Sequence, residues 1–128
     1  MEVNNFTRFK VDKKFIKTLA ERVLRGEHRR IDLSVSLIGR AEMRRINKKY
    51  RKVDRPTDVL SFTYNDFGEI LISPQVVKEN AKKYGENSKE EMARALIHGI
   101  LHILGYDHEG RNERAEKMKM KEGGYLKH

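Results

Sequence analysis

Residues His98–His108 read HGILHILGYDH, and the segment leading into them from Ser88 reads SKEEMARALI. Ser88 with Glu91 three residues on forms a capping box, which predicts a helix beginning at Ser88. Gly105 is the residue type that closes a helix in the left-handed conformation. Between them Leu96, Ile97, Ile100, Leu101, Ile103 and Leu104 make the helix apolar on nearly every side. Such a helix belongs in the middle of a core, so the rest of the fold must pack around it.

Working outward, Ser73 followed by Pro74 predicts a helix N-terminus and a helix to about Lys83. Asp58–Tyr64 (DVLSFTY) and Glu69–Ile72 are β-rich runs, with Asn65, Asp66 and Gly68 as turn residues between them, so they predict a hairpin. Pro56 ends a helix over residues 40–50. On that helix Met43, Ile46 and Tyr50 share one side, and Arg40, Arg44 and Lys48 another. Ile31, Leu33, Val35 and Leu37 alternate as a strand. Asp12 is a candidate N-cap for a helix over 13–25 with Phe15, Ile16, Leu19 and Val23 on one face. Phe6, Phe9 and Val11 are weaker strand candidates. Downstream, a helix over Arg111–Lys121 is expected to end at Gly123 and Gly124. The mixture predicts a single α+β domain over residues 1–128, with helices packed on a small mixed sheet and the histidine helix at its centre.

The chain has no cysteine, which excludes disulfides, zinc ribbons, iron–sulfur clusters and a thiol nucleophile, and suits a reducing cytosol. No apolar run approaches the roughly 18 residues of a membrane span, and Glu2 stands where a secretory signal carries positive charge. The expectation is a cytoplasmic protein without membrane association. Lys and Arg number 28 against 19 Asp and Glu, a formal charge of +9. All of the excess lies in residues 1–60, and it is densest from Arg40 to Arg55. A block this basic reads either as a solvated helix face or as the footprint of a polyanion.

His98 and His102 are four apart, so they project from one face of their helix, and Gly105 allows the chain to return His108 toward them. Two imidazoles on so apolar a helix are expected to be buried, and a bound metal would satisfy them. Three neutral imidazoles suit Zn²⁺, one per chain with the fourth position left to water; another divalent transition metal is allowed by the same ligands. The spacing H-x-x-x-H-x-x-G-x-x-H is that of the metzincin peptidases, except that Gly99 stands where they carry the glutamate base. With a basic chain, a phosphodiester becomes the natural substrate.

These residues resemble the signature of the YbeY family of bacterial endoribonucleases. Asn47-Lys-Lys-Tyr50-Arg51, Thr57–Phe62 (TDVLSF) and Gly68-Glu69-Ile70 with Ile72 strengthen the resemblance. It implies a metal held by His98, His102 and His108, a functional Arg51, and RNA cleavage near the 3′ end of small-subunit rRNA. It also implies a part in ribosome quality control, with the small subunit or its precursor as partner. The segment Met118–His128 (MKMKEGGYLKH) departs from the acidic helix expected of that family, and no role is assigned to it.

On this reading the metal activates water or a phosphoryl oxygen, and Arg51 pairs with the scissile phosphate as the catalytic arginine. Arg44 and Lys48 supply diffuse substrate attraction, and the protein acts as a monomer. Asp107, Glu109, Asp66 and Glu69 are candidate bases by proximity to the motifs, and Asp107 is equally a candidate to orient an imidazole. His28 and His128 are the only other histidines, and neither position suits a fourth ligand. Two alternatives stand beside this one. One is a metallopeptidase-like hydrolase whose base comes from elsewhere; the other is a non-enzymatic ribosome-associated RNA-binding factor with a structural metal.

Overall fold

The computed structural model describes residues 1–106 and 113–127. In chain order the elements are β1 (Glu2–Asn5), α1 (Lys13–Gly26), β2 (Asp32–Leu37), α2 (Arg40–Arg51), β3 (Val59–Tyr64), β4 (Phe67–Ile72), α3 (Pro74–Tyr84), α4 (Ser88–Ile103) and α5 (Glu113–Leu126). The strands form one mixed sheet in the order β1-β2-β4-β3, with β1, β2 and β4 parallel and β3 antiparallel at the edge. The fold is the expected α+β arrangement.

Side-chain alternation along the strands divides the core in two. Leu33, Val35, Leu37, Val59, Ile70 and Ile72 face the larger cluster, which α1 and α4 fill with Ile16, Leu19, Val23, Leu96, Ile97, Ile100 and Leu101. Leu60 and Leu71 face the other way, onto Met43 of α2 and Ile38. The helix that carries the histidines therefore lies on one face of the sheet and the basic helix on the other.

Several elements differ from the sequence expectation. The first strand is Glu2–Asn5, upstream of Phe6, Phe9 and Val11, and Phe6 is 72% exposed. Pairing with β2 selects the strand there, since Val3 sits opposite Val35 and is buried. Asn87, not Ser88, caps α4: its side chain accepts from the Glu90 amide at 2.7 Å, leaving Ser88 as the first helical residue. β4 begins at Phe67, so Gly68 is a strand residue rather than part of the turn, which Asn65 makes with a φ of 48°. Gly68 is needed for close approach. A Cβ there would lie 2.9 Å from Ile103 Cδ1 and 3.0 Å from Leu33 Cδ2, so only glycine lets the end of α4 settle onto the sheet. Finally, α5 runs through Gly123 and Gly124 to Leu126, because contacts made by its last turn outweigh the poor helix propensity of two glycines.

Candidate functional site

Beyond its first turns, α4 has one stripe open to solvent, and Arg94, His98 and His102 occupy it at intervals of four. Leu96, Ile97, Ile100 and Leu101, the residues between and behind them, are fully buried. The helix is central, as expected, but the imidazoles are not sunk in the core. The His98 side chain is 33% exposed, and His102 is exposed. A helix apolar on three sides can still present a polar fourth, and the count of apolar residues concealed that stripe. The two rings lie with centroids 5.9 Å apart and planes at 70°.

Position 99 shows why the peptidase glutamate is missing. A Cβ on Gly99 would lie 3.2 Å from both Ile70 Cγ2 and Val59 Cγ2. That side of the helix is pressed on the sheet, so a carboxylate placed there would be driven into aliphatic packing. After His102 the helix ends as expected. Gly105 has a φ of 103°, and the Tyr106 amide reaches back to the Leu101 carbonyl at 3.0 Å. His108, Asp107 and Glu109 lie beyond, outside the described residues, as does His128. Among the described residues no group of three metal-binding side chains converges.

The donor set present fits a metal in one specific respect. Nδ1 of His98 lies 2.9 Å from Oε1 of Glu122, a side chain only 14% exposed on α5. Nε2, the ring's other nitrogen, is not used by that contact. Sequence reasoning missed Glu122. The available signal was position, since it falls one turn after Met118, a fully buried residue of α5.

A second missed carboxylate holds α5 in place. Glu27, just past α1, is 6% exposed in its side chain. It accepts hydrogen bonds from the hydroxyl of Tyr106 at 2.6 Å and from the hydroxyl of Tyr125, and pairs with Lys121 at 3.2 Å. Burial pushes the Glu27 carboxyl up, but the two phenols and Lys121 together outweigh it and leave it below its ordinary value. The same hydrogen bond, with burial and the nearby negative charge, pushes Tyr106 up to about 12. Burial and the Glu27 bond raise Tyr125 as well. Arg22 adds a bond to the Tyr125 carbonyl at 2.6 Å.

Arg51 is the last residue of α2 and is exposed. Lys52 follows it in the left-handed conformation with a φ of 61°. Residues 52–58 then lead to β3, whose first residue, Val59, is the one pressed against Gly99. Asn47 pins this connection from beneath: it is 2% exposed and donates from Nδ2 to the Arg55 carbonyl at 2.9 Å. Arg44 and Lys48 are exposed as expected, yet both engage Asp54. Arg44 Nε lies 2.9 Å from one carboxylate oxygen and Lys48 Nζ 3.9 Å from the other. The bond to Asp54 raises the Arg44 guanidinium above its ordinary value.

Of the candidate bases, Asp66 is exposed in the hairpin turn. Glu69 alternates with Gly68 and Ile70 and so faces away from α4. His28 is exposed in the turn after α1.

The chain is similar to known proteins along most of its length. The family described as Endoribonuclease YbeY matches residues 2–128. The Endoribonuclease YbeY of Thermotoga neapolitana is 37% identical over 119 residues, covering 89% of this chain and 80% of its own. That of Persephonella marina is 40% identical over 120 residues, covering 84% and 77%. The solution structure of TM1509 from Thermotoga maritima superposes with a TM-score of 0.71 at 30% identity, covering 99% of this chain and 87% of its own. With the family match spanning every element described above, the chain belongs to the Endoribonuclease YbeY family.

Proposed function

We propose that this protein is a metal-dependent endoribonuclease that cuts single-stranded RNA. Its place is maturation of the 3′ end of small-subunit rRNA and ribosome quality control, in the cytoplasm and as a monomer. The observation that carries the reading is the stripe of α4: two imidazoles one turn apart, open to solvent, on a helix otherwise held rigid by the core. His98 and His102 with His108 would hold one Zn²⁺. Bound there, the metal would supply Lewis acidity toward a phosphoryl oxygen and lower the pKa of a bound water.

The chain's own residues do the rest. The buried body of α4 fixes the two imidazoles so that little reorganisation accompanies substrate binding. Arg51, anchored at the end of α2, offers a planar donor fork to the scissile phosphate and stabilises charge as it develops. Arg44 and Lys48 contribute longer-range attraction, reduced by Asp54. Among the described residues no helix is long and apolar enough to cross a membrane.

The packing of Gly99 weighs against a peptidase, since the position of the usual base faces the sheet. Glu122 does approach His98, but at Nδ1 and not at Nε2. The deciding experiment is cleavage of single-stranded RNA by the purified protein with and without chelator, beside a casein substrate. Metal-dependent RNA cleavage that disappears with His98→Ala supports the proposal. Casein cleavage that disappears with the same substitution would establish a peptidase. RNA binding with no cleavage of either substrate would leave a binding factor with a structural metal.

A further inference from the structure

We propose that Glu122 is a positioning residue. It fixes the His98 ring in the tautomer that carries its proton on Nδ1, and so directs the Nε2 lone pair outward to receive a divalent metal. The inference rests on the metal reading of His98, His102 and His108. It assigns a task to the C-terminal helix, to which the sequence motifs assign none.

The argument starts from valence. A neutral imidazole has one N–H and one lone pair, and a carboxylate only accepts. With Nδ1 of His98 2.9 Å from Oε1 of Glu122, the proton belongs on Nδ1. In the neutral ring the lone pair is then on Nε2, which is the form a metal requires. In the absence of such a partner an imidazole divides its population between two tautomers, and only one presents the outward lone pair. Negative charge behind the ring also raises its strength as a donor to a cation.

Rigidity is the second requirement, and α5 meets it on both sides of Glu122. Met118, one turn earlier, is fully buried. Lys121 and Tyr125 both bind the carboxylate of Glu27, and Arg22 holds the Tyr125 carbonyl. The approach of the helices is tight. A Cβ on Gly26 would lie 2.8 Å from Tyr125 Cε1. Glu27 thus sets where α5 sits, and α5 sets where the Glu122 carboxylate meets His98. The remainder of the His98 ring lies on the open stripe of α4 beside His102.

The test uses the full chain with Glu122→Ala and Glu122→Gln. The first readout is taken without metal: long-range ¹H–¹⁵N correlation spectra of the His98 ring. The expected result is the Nδ1–H tautomer in the wild type, a mixture in Glu122→Ala, and recovery of the tautomer in Glu122→Gln, whose amide oxygen still accepts. The second readout is zinc affinity by competition with a chromophoric chelator. Glu122→Ala should weaken it about 10–100-fold, the usual effect of removing such a partner. Glu122→Gln should fall between, having the acceptor without the charge, and its matched shape keeps α5 docked.

An unchanged tautomer and an unchanged zinc affinity in Glu122→Ala would overturn the proposal. So would a wild-type ring without the proton on Nδ1. A wild-type protein that takes up no zinc would overturn the metal reading instead. The tautomer measured without metal would still decide what Glu122 does to His98.

Discussion

The hydroxyl of Tyr125 donates to the carboxylate of Glu27, closing α5 onto the end of α1. Tyr106 makes a second such bond from the chain just past α4, and Lys121 a third contact from α5. One buried carboxylate therefore joins three parts of the chain. Glu27→Gln keeps the shape and removes the charge. It should destabilise the protein by about 1.5–3 kcal/mol, the scale of a hydrogen bond to a charged group. Urea denaturation of the two proteins checks this. A difference within error would mean that α5 is held by Met118 and its apolar neighbours alone.

The same cluster sets a pH window. Glu27 is depressed in the folded protein, so its contribution is complete above the ordinary value of 4.5 and is lost as pH falls through its lower folded value. Tyr106 is raised, so its contribution is complete below 10.0 and is lost as pH rises toward about 12. Stability of the wild type relative to Glu27→Gln should form a plateau between these limits and shrink on both sides. Urea denaturation across that range, with ultraviolet absorbance following tyrosinate formation, gives both edges.

Gly68→Ala should cost about 1–3 kcal/mol, because its Cβ would overlap Ile103 and Leu33 in a close-packed layer. Ile103 follows His102 directly, so the displacement should also weaken metal binding without touching a ligand. Thermal melting and chelator competition on the same samples check both effects. Gly99→Glu should destabilise the protein and should not create peptidase activity.

Removal of one ligand should remove the metal. Wild-type protein is expected to hold one zinc per chain, and His102→Ala to hold far less than one equivalent after dialysis. Elemental analysis is the measurement, with circular dichroism to show that the exposed His102 is not needed for folding.

Arg51 and its basic neighbours should separate cleanly. Arg51→Ala is expected to lower single-turnover cleavage by about 10²–10³, the scale of losing one donor to the transition state, with little loss of folding or zinc. Arg51→Lys should not restore it fully. Arg44→Ala should change affinity modestly, and less as salt is added. Asp54→Asn should do the opposite, strengthening RNA binding at low salt, because it releases Arg44 and Lys48 together. Equal small effects from Arg51→Ala and Arg44→Ala would reduce Arg51 to one more surface charge.

What the sequence made legible was whatever is encoded locally. The α1 cap at Asp12, the Gly105 stop and the β3–β4 pair all follow from residue types at fixed short spacings, and all are present. The spacing of His98 and His102 was enough to place them on one helical face. Contacts across long stretches of chain were not legible. Glu27 and Tyr125 are 98 residues apart, and His98 and Glu122 are 24 apart. Nothing in a run such as KMKMKEGGY says that its one acid turns inward. The same reason hid β1, whose strand character comes from pairing with β2 rather than from its own composition. Burial of the histidines was misjudged because a helix was averaged over all its sides.

The Glu27 cluster has a consequence during synthesis. Residue 27 leaves the exit tunnel long before Tyr125, 98 residues further along, and before Lys121 in the same helix. Until α5 has been made, the Glu27 carboxylate has Tyr106 but neither Lys121 nor Tyr125, and His98 has no Glu122 behind it. A nascent chain that has not yet made α5 would therefore hold the imidazole stripe without the Glu122 contact.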